Sequence, residues 1–168
     1  MKFSLRLRVK QSPMPLLTLD NLEATLFPHR ERGERIVSTN GVFDLLHVGH
    51  VRYLQEARKL GDLLIVGVNS DASVRRLKGE TRPINPAEER AELLLALRCV
   101  DYCVIFEEET PVSLLEKIRP TFHTKGGDYN IETMPETSVV RHYGGDIRLL
   151  PFVEGRSSSR LIERFGVQ

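Results

Sequence analysis

Short apolar segments alternate with helical patterns along most of this sequence, and this alternation restricts the fold more than any other feature. Five segments have the composition of buried strands: RIVST, LLIVGVN, YCVIF, FHTK and IRLLPF. Helical patterns lie between or after them, at about residues 47–60, 86–98, 111–119, 133–143 and 157–165. Strands that alternate with helices pair in parallel through right-handed crossovers. The sequence therefore predicts an α/β fold with a doubly wound, parallel, five-stranded sheet and helices on both faces.

The length and composition indicate one domain. A chain of 168 residues with 40% hydrophobic residues can bury a substantial core. Residues 1–15 are basic, contain two prolines and alternate only weakly, so we interpret them as a tail or an added edge strand. Residues 16–168 form the predicted domain, which begins with a short helix after Asp20 because Glu23 follows at capping-box spacing.

Charge, hydropathy and cysteine content exclude several functional classes. The 24 basic and 23 acidic residues give a net charge of +1, which argues against a nucleic-acid partner. No apolar run approaches the roughly 18 residues of a membrane span, and the N-terminus lacks the apolar core of a secretory signal. Cys99 and Cys103 lie four residues apart around a predicted strand, and an extended chain separates them too far to form a disulfide, so we expect reduced thiols and a cytoplasmic protein.

Polar clusters follow directly after four of the predicted strands. These clusters are NGVFDLLHVGH, NSD, KGGDY and EGRSSS. In doubly wound sheets, ligands bind beyond the carboxyl ends of the strands, near the point where the strand order reverses. The sequence therefore predicts one ligand site along this edge. Neither the G-x-G-x-x-G pattern nor the P-loop pattern occurs, so phosphate would have to be bound in another way.

The first cluster joins a strand to a helix and contains two histidines three residues apart. His47 and His50 would project from the first helical turn, where free N–H groups and the helix dipole favour an anion. Gly49 would let a phosphate approach the backbone. The helix dipole disfavours the imidazolium form of the rings, whereas a bound polyanion would favour it. Taken alone, such a pair also fits a capping or packing role, or half of a metal site. A zinc site would need a further ligand, and His29, His123 and His142 are scattered.

The motif TNGVFDLLHVGH resembles the T-x-G-x-F-D-x-x-H-x-G-H signature of the cytidylyltransferase-like nucleotidyltransferases, and EGRSSSRLI resembles their second signature. LGDLLIVGVNSDASVRRLKGETRPINP, KGGDY and LPFVEGRS resemble the adenylyltransferase branch of ADP-heptose synthesis, over about residues 16–166. The resemblance implies a Rossmann-like fold. This sequence departs from the family pattern at Val42, at Ser158 and Ser159, and in the stretch NIETMPET, which puts acceptor specificity in question.

The resemblance also implies a set of site residues. His47, His50 and Lys78 would be catalytic, with Lys78 on a mobile loop over the α- and β-phosphates. The wider nucleotide-binding set would be Asn40, Gly41, Val42, Phe43, His47, Gly49, His50, Lys78, Arg90, Gly155, Ser157, Ser158 and Ser159. For the acceptor, the resemblance and the polar clusters suggest Asp44, Lys125 and Asp128.

Each of these residues also has a simpler interpretation from the sequence alone. Lys78 could be a solvated surface lysine, and the three serines could only cap a helix. Arg90 could pair with a neighbouring carboxylate. Asp44 could orient a histidine instead of contacting the acceptor, and the cluster KGGDY could merely shape a turn.

The function implied by the resemblance is adenylyl transfer from ATP to D-glycero-β-D-manno-heptose 1-phosphate. Mg²⁺ would be bound mainly through the ATP phosphates, without a metal site made of protein side chains. The alternatives are a polyol-phosphate cytidylyltransferase, an FMN adenylyltransferase, or a non-catalytic nucleotide-binding regulatory module. The resemblance further suggests a homodimer or larger assembly, and a stand-alone enzyme supplied by a separate sugar kinase.

Overall fold

A computed structural model describes residues 15–151 and Ile162 of this protein. Six parallel strands form one sheet with the order β1-β4-β3-β2-β5-β6. The strands are β1 (Leu16–Leu17), β2 (Ile36–Gly41), β3 (Leu63–Asn69), β4 (Tyr102–Phe106), β5 (Phe122–Gly126) and β6 (Asp146–Leu150). The predicted parallel α/β architecture is thus confirmed.

The predicted strand count of five is wrong because β1 was not recognised. This strand has two residues and pairs with β4 through Leu16 opposite Cys103 and Leu17 opposite Val104. Two residues carry no alternation that a sequence pattern can detect. The edge strand begins just after the segment 1–15 that we predicted as a tail or edge strand, and residues 1–14 lie outside the described part.

Six α-helices connect the strands within the described residues. They are α1 (Leu22–Glu31), α2 (Val48–Arg58), α3 (Asp71–Lys78), α4 (Ala87–Leu95), α5 (Val112–Ile118) and α6 (Pro135–His142), and a short 3₁₀ helix covers Ile131–Thr133. Within the described chain, no helix is long and apolar enough to cross a membrane. Of the predicted helix at 157–165, only Ile162 is described, and it is helical.

Helix α3 was not predicted, and its composition explains why. Its sequence, DASVRRLK, contains four charged residues, and only Ser73 and Val74 are buried. The helix is fixed at its start by Ser70, whose hydroxyl accepts a hydrogen bond from the Ser73 N–H at 3.2 Å. A helix with so small an apolar face is hard to distinguish from a polar loop.

Two apolar cores cover the two faces of the sheet. Residues of β3 alternate between them, and all seven positions of this central strand are buried, as expected for a parallel sheet covered on both sides. Helices α2 and α4 pack on one face through Leu54 and Leu94. Helices α1 and α5 pack on the other through Leu26 and Leu114. This framework leaves the carboxyl ends of the strands free to carry a site.

Candidate active site

A cavity of about 300 Å³ opens at the carboxyl ends of β2 and β5, where the strand order reverses. From β2 the chain proceeds to β3 on one side, while β5 and β6 lie on the other. The cavity is lined by Asn40, Gly41, Val42, Phe43, Gly49, His50, Tyr53, Asn69, Leu77, Glu109, Lys125, Gly126 and Tyr129. This is the edge at which the sequence predicted a ligand site.

The turn between β2 and α2 places the aromatic ring of Phe43 against His50. Phe43 has a left-handed backbone with φ of 51°, which is uncommon outside glycine and indicates a constrained turn. Its ring lies against Gly41, where an added Cβ would be 3.0 Å from Phe43 Cε2. The Phe43 ring also meets His50 edge to face, with centroids 5.3 Å apart. Gly41 therefore leaves room for the ring that supports His50.

The two histidines stack on each other at the start of α2. Their ring centroids are 3.9 Å apart and their planes differ by 23°. His47 is the N-cap residue and lies just before the helix, and its Nδ1 accepts a hydrogen bond from the Gly49 N–H at 3.1 Å. An accepting nitrogen carries no proton, so the neutral His47 ring is protonated at Nε2. His47 is therefore a potential donor through Nε2.

Burial favours the uncharged form of His50. Desolvation, followed by the proximity of His47, lowers the pKa of His50 to about 4. Its buried Nδ1 has no hydrogen-bond partner among the described residues. A neutral ring at pH 7 can donate one N–H to a phosphate without a proton being removed first. For His50, this agrees with the neutral ring expected from the sequence.

Asp44 ties the turn after β2 to the segment that precedes α4. Its side chain is fully buried, and its carboxylate accepts hydrogen bonds from Arg82 Nε at 2.5 Å and from the N–H groups of Ile84 and Asn85 at 2.8 and 3.1 Å. Asn85 also donates to the Asp44 carbonyl oxygen at 2.9 Å. Asp44 is not among the residues that line the cavity. These contacts give it a positioning role, and its predicted acceptor contact stays a prediction.

Arg90 is fully buried and connects three loops at the same edge. Its guanidinium donates to the carbonyl oxygens of Asn85, Val42 and Asn69 at 2.9, 2.5 and 2.8 Å. It also pairs with the Asp71 carboxylate at 2.7 Å. The planar, five-donor guanidinium suits such a junction. The structure therefore places Arg90 behind the cavity wall, where it holds Val42 and Asn69 in position.

Lys78 is the last residue of α3 and is exposed. Its neighbour Leu77 lines the cavity, whereas Lys78 is not among the lining residues. Gly79 follows with φ of 96°, a backbone conformation that glycine adopts readily. We predicted Lys78 within a loop, and the structure corrects this to the carboxyl end of a helix next to a glycine turn. Its phosphate contact stays a prediction.

A second cavity of about 330 Å³ adjoins the first and extends toward α6. Four residues line both cavities: Asn40, Glu109, Lys125 and Tyr129. The remaining lining residues are Thr110, Pro111, Asn130, Thr133, Met134, Pro135 and Glu136. Five of these seven belong to NIETMPET, the stretch that departs from the family pattern. The stretch that departs from the family pattern therefore lines this second cavity.

The predicted acceptor residues differ in their placement. Lys125 lines both cavities, and its Nζ lies 2.7 Å from Glu136 Oε1 in an ion pair that is largely buried. Asp128 is exposed in the turn after β5 and is not among the residues that line either cavity. Its neighbour Tyr129 lines both cavities instead. The cluster KGGDY thus contributes its first and last side chains to the site.

Comparison with known proteins assigns the family. The sequence pattern of the cytidylyltransferase-like proteins matches residues 38–164, which include both cavities and all the predicted site residues. The chain belongs to the cytidylyltransferase-like family. This confirms the predicted nucleotidyltransferase class.

The chain is also similar to individual known proteins. The bifunctional protein HldE of Geobacter sulfurreducens is 53% identical over 146 residues, which cover 87% of this chain and 30% of that protein. This chain therefore spans about 30% of the length of that curated relative. The lipopolysaccharide core biosynthesis protein of Thermoplasma volcanium is 31% identical, with a TM-score of 0.59 over 74% of this chain and 100% of that one.

A more distant structure shows the same fold. Pantothenate synthetase from Thermus thermophilus has a TM-score of 0.65 with this chain, covering 92% of it and 71% of its own length. The two sequences are 16% identical, so the likeness concerns the fold alone.

Several residues of this site were not predicted from the sequence. Tyr53 lies three residues after His50, and its hydroxyl contacts Thr39 Oγ1 at 2.8 Å and Thr124 Oγ1 at 3.0 Å. It therefore fixes α2 against β2 and β5. The spacing from His50 along one helix face was a signal that could have identified it. Glu109 follows β4 in an acidic run without glycine, so no motif marked it.

The second family signature lies outside the described residues. Gly155, Ser157, Ser158 and Ser159 fall there, and their predicted nucleotide contacts stay predictions. Within the part that the structure describes, no group of three or more His, Cys, Asp or Glu side chains could hold a metal ion.

Proposed function

We propose that this chain transfers the adenylyl group of ATP to D-glycero-β-D-manno-heptose 1-phosphate, giving ADP-heptose and pyrophosphate. The observation that carries the proposal is the pair of adjoining cavities. One has the stacked histidines at a helix N-terminus, and the other has the Lys125–Glu136 ion pair. Two phosphorylated substrates that react with each other require two adjacent sites with a common wall.

The first cavity suits the α-phosphate of a nucleoside triphosphate. The N-terminal turn of α2 borders this space through Gly49 and His50, so the positive end of the helix dipole lies beside it. The rings of His47 and His50 add N–H donors, and stacking and the Phe43 ring hold these rings in place. Donors held in place stabilise charge that grows at phosphorus without having to reorganise.

The second cavity suits the acceptor. An oxygen of the acceptor phosphate attacks the α-phosphorus of ATP, and the bond between the α-phosphorus and the bridging oxygen to the β-phosphorus breaks. Pyrophosphate leaves with that oxygen and its electron pair. The acceptor phosphate is ionised at neutral pH, so no general base is required, and positioning and charge stabilisation supply the catalysis.

Mg²⁺ is proposed to arrive with the triphosphate. Magnesium in nucleotide sites is held by one or two carboxylates together with phosphate oxygens and waters. Glu109 lines both cavities and is the carboxylate that would face such an ion. When bound, the ion neutralises charge on the phosphates.

The heptose acceptor is supported by the similarity between this chain and HldE, and by the lipopolysaccharide core biosynthesis protein of known structure. It is also supported by the sequence resemblance to the ADP-heptose branch. A separate sugar kinase that supplies the phosphorylated acceptor is part of the proposal. A homo-oligomeric state and a cytoplasmic location remain part of the proposal.

A pyrophosphate-release assay over a matrix of nucleotides and acceptors tests this function. We expect ATP with heptose 1-phosphate to give the highest kcat/KM, and CTP with glycerol 3-phosphate to give little product. A preference for glycerol 3-phosphate or FMN would reassign the acceptor but keep the enzyme class. ATP binding without pyrophosphate release with any acceptor would contradict catalysis and favour a regulatory module.

A further inference from the structure

Lys125 and Glu136 form a buried ion pair that spans the boundary of the two cavities. Lys125 is the fourth residue of β5, and its ammonium lies 2.7 Å from Glu136 Oε1. The Lys125 side chain is 18% exposed and that of Glu136 is 6% exposed. Lys125 lines both cavities, whereas Glu136 lines only the second one. The pair therefore connects the reacting phosphates with the region proposed for the sugar.

The position of Lys125 is suited to the acceptor phosphate. Among the described residues that line the two cavities, Lys125 is the one side chain with a positive charge at pH 7, because His50 is neutral. An ammonium has three N–H donors, and Glu136 is its one partner among the described residues. Two donors thus remain for an incoming phosphate.

The Glu136 carboxylate can accept further hydrogen bonds in addition to its contact with Lys125. It lies in the first turn of α6, where the helix dipole favours a carboxylate. One carboxylate oxygen contacts Lys125, and the side chain lines the second cavity. A carboxylate can accept about four hydrogen bonds. Its other oxygen is therefore available to a ligand hydroxyl in that cavity.

We propose that Glu136 determines acceptor specificity by accepting hydrogen bonds from the hydroxyl groups of the sugar while its ion pair holds Lys125 toward the acceptor phosphate. This inference rests on the proposed function and assigns a residue that neither the sequence motifs nor the family resemblance identified. A buried carboxylate that is built to accept from substrate hydroxyls discriminates strongly against acceptors that lack them. Glycerol 3-phosphate could reach Lys125, but it has two hydroxyl groups on a three-carbon chain and would leave the Glu136 carboxylate less fully matched than a heptose would.

The test compares Glu136→Gln with a matched control, Glu132→Gln. Glu132 lies in the same NIETMPET segment, is exposed, and pairs with Arg141 at 2.7 Å. For each variant, kcat and KM are measured with heptose 1-phosphate and with glycerol 3-phosphate at saturating ATP. We expect Glu136→Gln to lower kcat/KM for heptose 1-phosphate roughly 10- to 100-fold, mainly through KM for the acceptor. The KM for ATP should change less than about threefold. The loss with glycerol 3-phosphate, which depends on Glu136 only through Lys125, should be several-fold smaller than the loss with heptose 1-phosphate, and Glu132→Gln should match the wild type.

An equal loss with both acceptors would overturn the proposal, because it would show that Glu136 acts only through Lys125. No loss with either acceptor would also overturn it. If Glu136→Gln does not fold, Glu136→Asp keeps the charge but withdraws the carboxylate by one methylene group, and the same acceptor-selective loss is expected.

A binding measurement separates this inference from the proposed reaction. If the wild type releases no pyrophosphate with any acceptor, the proposed function fails. Calorimetric titration of heptose 1-phosphate into the wild type and Glu136→Gln, without ATP, then decides the inference. We expect at least tenfold weaker binding to the variant, and equal binding, or none to the wild type, would overturn it.

Discussion

Arg90 and Lys125 are both largely buried cations at the carboxyl edge of the sheet, but the protein holds them in different ways. Arg90 has four partners, three of which are backbone carbonyl oxygens. Two of these carbonyls belong to Val42 and Asn69, which line the first cavity. Lys125 has one partner among the described residues, Glu136. The comparison indicates that the wall of the nucleotide cavity is held in place by contacts within the protein. On the acceptor side, in contrast, the charged Lys125 can exchange its partner Glu136 for a ligand.

This difference predicts where a mutation should affect stability. Arg90→Ala removes the buried member of an ion pair with the partly exposed Asp71 and leaves three carbonyl oxygens without this donor. We expect a loss of about 3–5 kcal/mol in the free energy of unfolding. Chemical denaturation of the variant and the wild type at pH 7 measures this loss.

Arg141→Ala is the matched control, because this arginine pairs with Glu132 on the surface. Its denaturation midpoint should equal that of the wild type. A loss for Arg90→Ala as small as that of Arg141→Ala would mean that the nucleotide side does not depend on this junction.

The histidine pair should carry the largest effect on catalysis. His50→Ala should fold normally and lower kcat about 10²- to 10³-fold, the cost typical of removing one fixed donor to transition-state charge. Steady-state pyrophosphate release at saturating ATP, together with circular dichroism, measures the effect. Near-normal kcat in a folded variant would contradict the phosphate-binding role of this ring.

Lys78 should show a smaller effect that falls on turnover more than on ATP binding. A hydrogen bond to a charged group contributes about 1.5–3 kcal/mol, so Lys78→Ala should lower kcat roughly 10- to 100-fold. The reason is that a residue beside a glycine turn can close over the phosphates as charge develops. If KM for ATP rises while kcat is unchanged, Lys78 contributes only to ground-state binding.

The pH dependence of stability should show the smallest effect. The pKa of His50 is lowered to about 4 in the folded protein, from an ordinary value near 6.5. Between these values the unfolded chain binds the proton and the folded protein does not, so stability is lost as the pH falls from 6.5 to 4. His50→Gln should therefore lose less stability between pH 7 and pH 5 than the wild type does. Denaturation midpoints at the two pH values provide the measurement, and identical pH dependence for the two proteins would contradict the buried neutral ring.

The sequence predicted the parts of the molecule in which local patterns are strong. Central strands such as β3 are continuous apolar runs. The junction between β2 and α2, at His47 and His50, combines a glycine, an N-cap residue and the start of a helix. Each of these signals lies within a short stretch of chain. The structure accordingly placed Gly41, Phe43 and His50 around one cavity.

Other features could not be predicted because they depend on contacts between distant segments. Arg90 meets Val42 and Asn69, which are remote in the chain, and sequence spacing gives no sign of that junction. The pairing of Lys125 with Glu136 depends on how α6 returns to β5. The two-residue strand β1 and the polar helix α3 are too weakly patterned to be recognised.

The proposed reaction requires the two cavities to bind the two substrates side by side. A crystal structure with a non-hydrolysable α,β-methylene analogue of ATP and heptose 1-phosphate tests this claim most directly. We predict that the α-phosphate lies within hydrogen-bond reach, roughly 2.7–3.2 Å, of a ring nitrogen of His50. The acceptor phosphate should contact Lys125, with sugar hydroxyls donating to Glu136. A nucleotide bound away from the histidines, or a sugar outside the second cavity, would contradict the account.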